Sequence, residues 1–233
     1  MLDQLPHVPG EWQGLWKRTL LERRGPGSLT NDRPAEVFWL QTPLWHADIR
    51  IPAQRPYFSG ISSLQECNRA QLEFLAGQEA FFGITRVEGC TCTWSRLMDL
   101  NPGTALDVAY MRFESDTLIV ESGIAEDYLE HWELVPDSRP AANAESLIPL
   151  DGTSFMLAAG EWSICVTPRT KAPSEIDLYA QTADRTLDDL LWQATLVFSL
   201  CQKTPSGWTI RLSTLPWLEG RLVEPAESTA ACA

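Results

Sequence analysis

From residue 36 to residue 135 the chain is a succession of short segments in which apolar and polar residues alternate, each broken off by turn residues. A period of two places successive side chains on opposite faces of a strand, so this rhythm dictates an antiparallel sheet. Strands are expected over Glu36–Thr42, His46–Ile51, 80–88, 91–99, 107–113, 116–122 and 127–135, with Gly89 and Glu114-Ser115-Asp116 as hairpin connections. One helix interrupts them. Over Ser62–Glu79 the residues Leu64, Cys67, Gln71, Phe74 and Leu75 recur at helical spacing, with Ser62 or Ser63 as cap and Glu66 as the capping-box acid. Past Pro149, strands are expected at 153–159, 161–168, 175–182, 190–203 and 207–214, the last two joined by a turn at Ser206-Gly207. Arg23–Pro34 reads as a loop, and Val135–Pro149 as a break between halves of one domain spanning residues 1–233. About ten strands with short turns favour a closed barrel, because closure removes exposed edges. A two-sheet sandwich is the alternative.

The segment His46-Ala-Asp48-Ile-Arg50-Ile51 says most about the interior. If Ala47, Ile49 and Ile51 pack outside against the helix, then His46, Asp48 and Arg50 point inward, and buried charges need partners. Neighbouring strands supply them. Cys92, Trp94, Arg96 and Met98 share one face, Glu121 lies with Thr117 and Ile119, and Tyr128, Glu130 and Trp132 share a face opposite His131 and Glu133. An Arg–carboxylate pair beside an aromatic wall orients a polar ligand, and a carboxylate or imidazole there can move a proton. The candidate catalytic residues are therefore His46, Asp48, Arg50 and Glu130. The candidate ligand-binding residues are Trp39, Trp94, Arg96, Glu121, Tyr128 and Trp132. The competing explanation is structural: an Asp48–Arg50 ion pair that holds register, and a Tyr128–Glu130–Trp132 network that fills the core.

Composition narrows the function classes. A net charge of −13 disfavours nucleic acid, whose phosphates require a concentrated Lys/Arg surface, and equally an anionic membrane. No apolar run reaches the roughly 18–20 residues of a membrane span. The opening MLDQLPHVPGEW lacks the features of a secretion signal, so a cytoplasmic protein is expected. Ten Trp residues suit a barrel core and a ligand wall. The six Cys residues show neither a CxxC pair nor zinc spacing, and are expected as buried thiols. Dinucleotide, P-loop, nucleophile-elbow and zinc-protease motifs are missing from the sequence, so no cofactor and no metal is expected. Three functions remain: a barrel that binds a small polar or aromatic molecule, a cofactor-independent lyase or isomerase acting on such a molecule, and an interaction protein with a filled interior. Oligomeric state is open.

Several segments together resemble the Hri1-like family of fungal proteins and their bacterial relatives. They are Asp48-Ile-Arg50-Ile51, Phe81-Phe-Gly83-Ile-Thr85, Trp94-Ser-Arg96-Leu-Met-Asp99, Asp107-Val-Ala-Tyr-Met111 with Glu121-Ser-Gly123, and Tyr128-Leu-Glu130-His-Trp132. Order and spacing agree over about residues 36–135, and the stretch Trp208–Trp217 is similar to bacterial members. Phe82 and Val108 depart from the pattern. In addition, Gly10-Glu-Trp12 and Gly14-Leu-Trp16 resemble the opening of lipocalin-like barrels, where an early Trp packs across the closed end. The resemblance implies a mainly β, antiparallel lipocalin-like (calycin) barrel. It implies no particular chemistry.

Overall fold

Eight antiparallel strands close on themselves in chain order: β1 (Gly14–Arg23), β2 (Ala35–Gln41), β3 (Trp45–Pro52), β4 (Glu79–Glu88), β5 (Thr91–Asp99), β6 (Asp107–Ser115), β7 (Leu118–Gly123) and β8 (Tyr128–Leu134). Pairing of β8 back onto β1, from Trp16↔Leu134 to Arg23↔Tyr128, completes the ring. This computed structural model describes residues 7–23, 35–141, 146–169, 178 and 184–223. Most of the loop expected over Arg23–Pro34, and the strand expected at 175–182 save residue 178, lie outside the described residues.

The barrel has eight strands, not about ten. The later strands form a second, six-stranded antiparallel meander: β9 (Leu147–Pro149), β10 (Phe155–Ala159), β11 (Trp162–Thr167), β12 (Val197–Thr204), β13 (Gly207–Ser213) and β14 (Leu222–Val223). This sheet lies against the outside of the barrel. Ala47, Ile49 and Ile51 of β3 pack there with Leu157, Val166 and Phe198. The outward face of β3 is thus covered by a sheet rather than by the predicted helix. Each such aliphatic side chain contributes roughly 1.5–3 kcal/mol on full burial.

Two short helices, α1 (Arg69–Ala76) and α2 (Leu187–Gln193), join in a satellite core of Leu72, Leu75, Leu190, Ala194 and Leu215. The helix expected over Ser62–Glu79 is divided. Glu66 does accept from the Ser62 backbone N–H (2.7 Å), but it caps only a 3-10 turn over Leu64–Glu66. The α-helix proper starts at Asn68, whose side chain and that of Gln71 form a reciprocal capping box. The first part of the strand expected over 190–203 is α2, capped by Thr186 and Asp189.

One end of the barrel is sealed by aromatics. A 3-10 turn over Gly10–Trp12 leads into β1, and the Trp16 indole N–H donates to the Trp12 carbonyl (2.8 Å). Trp16, Trp39, Trp94, Met111, Ile119 and Trp132 fill the space above, with Trp39 edge-on to both Trp94 and Trp132. Arg139, just past β8, returns to this end. Its guanidinium lies 5.4 Å from the Trp16 ring and donates to the carbonyls of Gly10, Glu11 and Gln13.

Candidate functional site

Above the aromatic floor the barrel opens into a cavity of about 820 Å³. The mouth exists because β5 and β6 pair only from Thr91↔Tyr110 to Trp94↔Asp107 and then part, leaving residues 95–99 free of β6. The β5–β6 connection and the β7–β8 turn form its rim, where Leu106 and Ile124 are exposed.

The inward face of β3 is the one that alternation predicts: His46, Asp48 and Arg50 point into the barrel, away from Ile49 and Ile51. Their depths differ. Arg50 reaches the cavity, gripping Asp48 behind it (Nε to Oδ1 2.8 Å) and Glu79 at the rim (3.4 Å). Asp48 is 2% exposed, and burial pushes its carboxyl upward against the pull of Arg50. His46 does not line the cavity. It is sunk beneath Phe81, with Nδ1 3.0 Å from the Thr85 hydroxyl, which in turn donates to Gln41. Burial, aided by Arg96, lowers its pKa to about 3, so the imidazole is neutral at ordinary pH.

A β-bulge re-aims β5. Phe82 pairs with Met98 while Gly83 pairs with Arg96, so Leu97 is the extra residue. Only glycine fits opposite: a Cβ on Gly83 would sit 1.9 Å from the Ser95 carbonyl oxygen. The alternation expected for Cys92, Trp94 and Arg96 holds, but the bulge turns Met98 outward into the intersheet core and Asp99 inward. Arg96 then binds Asp99 (3.0 Å) and Asp107 (2.6 and 2.9 Å), with its guanidinium 3.6 Å from the centre of the Phe81 ring. Arg50 lies 5.3 Å from the same ring, so both guanidiniums approach Phe81.

Across the cavity, Arg18 of β1 donates to Glu130 (2.5 Å). Glu121, the cross-strand neighbour of Glu130, is served by neutral donors: Tyr128 hydroxyl (2.7 Å) and Trp132 indole N–H (2.9 Å). Gly123 makes room for this, since a Cβ there would lie 2.4 Å from the Tyr128 ring. Burial and the nearby Glu130 charge push the Glu121 carboxyl up to about 8. Burial and Glu121 likewise push the Tyr128 phenol far upward.

Of the residues singled out from sequence, Arg50, Trp94, Arg96, Glu121, Tyr128 and Glu130 line the cavity. Trp39 and Trp132 form the floor, Asp48 braces Arg50, and His46 lies beyond reach of the cavity. His131 pairs with Leu20 and Val120 on the opposite, outer face of β8. Sequence reasoning missed Arg18, because β1 was not recognised as a strand, and Asp99 and Asp107, whose convergence depends on the bulge. No family model, characterised protein or solved structure matches the chain. Among the described residues no helix is long and apolar enough to cross a membrane.

Proposed function

We propose that the barrel binds a small organic molecule that is polar at one end and aromatic or apolar at the other. The observation that carries this is the cavity itself: about 820 Å³, with Trp94 and Tyr128 set among fixed, mutually paired charges. Ligand sites typically enclose 300–1,000 Å³ and combine apolar wall with a few convergent polar groups. Side chains already locked by their partners cost little further ordering when a ligand arrives. An eight-stranded antiparallel barrel with one sealed end supports the calycin-like reading of the sequence. The five described cysteines are free thiols, which fits a reducing, cytoplasmic setting.

Titration against a library of polar aromatic metabolites tests the proposal through tryptophan emission, because Trp94 stands in the wall. Saturable quenching that weakens in Arg50→Ala or Tyr128→Phe supports it. A library without a single saturable response refutes it.

One observation favours a second reading, acid–base catalysis on the bound molecule. Glu121 holds a proton near neutral pH beside Glu130, the poise of a general acid. Turnover of a bound ligand that disappears in Glu121→Gln while binding persists supports this reading. Binding without turnover leaves a carrier.

A further inference from the structure

The wall of the cavity carries an uneven charge inventory. Four guanidinium groups face it, and each already has a carboxylate: Arg18 on Glu130, Arg23 on Glu126, Arg50 on Asp48 and Glu79, Arg96 on Asp99 and Asp107. Asp48 lies behind Arg50, so five of these carboxylates line the cavity beside the four cations, and Glu121 makes a sixth. Among the described residues Glu121 receives hydrogen bonds only from neutral groups. A carboxylate offers about four lone-pair positions, so two donors leave both oxygens able to accept again.

These facts discriminate between ligand charges. An anion entering the cavity meets guanidiniums whose charge is already countered by neighbouring carboxylates, inside a wall that carries more carboxylates than cations. A cation meets acceptor capacity and an attractive field. The aromatic surface acts in the same sense, because the faces of Trp and Tyr rings attract cations. Glu121 is also set against the aromatic floor, with the Trp132 indole N–H donating to its Oε2. A ligand that seats an ammonium at Glu121 therefore lays its apolar part along the aromatic wall or out toward the exposed Leu106 and Ile124 at the rim.

We propose that the ligand of this barrel is an organic cation, an aryl- or alkyl-ammonium whose charged nitrogen is received by Glu121. This deepens, and rests on, the reading of the cavity as a small-molecule site. Since Glu121 is protonated in part at neutral pH, arrival of the cation expels that proton to solvent, and the amine arrives already charged. No bond to the ligand forms or breaks.

Three probes of one shape decide the matter: 2-(1-naphthyl)ethylamine, 2-(1-naphthyl)ethanol and 3-(1-naphthyl)propionate, each measured by titration calorimetry at pH 7 in two buffers of different ionisation enthalpy. The ammonium is expected to bind at least tenfold more tightly than the alcohol and more tightly still than the carboxylate. Its enthalpy should depend on the buffer, reporting proton release. Glu121→Gln should reduce amine affinity to that of the alcohol, leave the alcohol unchanged, and abolish the buffer dependence. Equal or tighter binding of the alcohol or carboxylate overturns the cationic ligand while leaving the cavity reading intact. Absence of binding by all three at millimolar concentration overturns both. If the Gln variant does not fold, the ranking of the three probes on the native protein decides alone.

Discussion

Glu121→Gln separates the effect of one buried proton on stability from everything else in the barrel. The Glu121 carboxyl is raised from an ordinary 4.5 to about 8. The folded protein therefore keeps a proton that the unfolded chain releases, and stability present at acid pH is lost as pH rises toward 8. Each pH unit costs about 1.4 kcal/mol for one such group. His46 acts with the opposite sign. Lowered to about 3, it stays neutral in the fold while the unfolded chain takes up a proton below 6.5, so its penalty is confined to pH below 6.5. Between pH 6.5 and 8 the Glu121 contribution is thus clear of His46 and amounts to about 2 kcal/mol. Glutamine suits the site: its oxygen can accept from Trp132, a donor only, and its NH₂ can donate to Tyr128, whose hydroxyl also accepts. Urea unfolding followed by tryptophan emission at pH 6.5 and pH 8 measures the effect. The native protein should lose about 2 kcal/mol more than the variant across that interval. An equal loss in both would show that Glu121 is ionised throughout, and the argument from burial would be wrong.

Other perturbations address separate parts of the structure. Phe81→Ala removes the ring that both Arg50 and Arg96 approach, at a site 2% exposed, and should cost about 3–5 kcal/mol in chemical denaturation, whereas Phe81→Leu should cost less. Gly123→Ala drives a methyl against the Tyr128 ring and the Glu126 carbonyl, so a loss of about 1–3 kcal/mol should accompany weaker ligand binding in the fluorescence titration. The imidazole proton resonances of His46 should not shift between pH 5 and 8, because the ring is neutral throughout; a midpoint near 6.5 would contradict its burial.

Alternation made the interior of β3 legible. Ile49 and Ile51 on one face and Asp48 and Arg50 on the other can satisfy burial in only one way, and the structure adopts it. The same logic reached Trp94, Arg96, Glu121, Tyr128 and Glu130. It failed where the period of two itself fails. At Leu97 one extra residue inverts the face of everything after it, so Met98 was read inward and Asp99 was missed. Strand β1 escaped notice because Trp16–Arg23 mixes charged and apolar residues around another bulge, between Arg18 and Leu20. The covering of the barrel wall was hidden for a different reason. Apolar residues facing outward from β3 specify that something must lie over them, but not whether it is a helix or a sheet, and a sheet formed by β10–β12 does so. The depth of His46 is likewise a tertiary fact, since alternation gives a face and not a distance from the cavity.

Arg139 carries a consequence for the order of events during synthesis. Its guanidinium ties residue 139 to the carbonyls of Gly10, Glu11 and Gln13, and the adjoining β8 closes on β1 more than a hundred residues upstream. Such long-range closure is entropically slow. The first strands must wait, with Trp16 and Trp39 uncovered, until the ribosome has released residues near 139. Only then can the sheet β9–β14 settle on a finished wall. The barrel is therefore most exposed to aggregation while its last strand is still in the exit tunnel, and chaperone demand should fall sharply once the segment bearing Arg139 emerges.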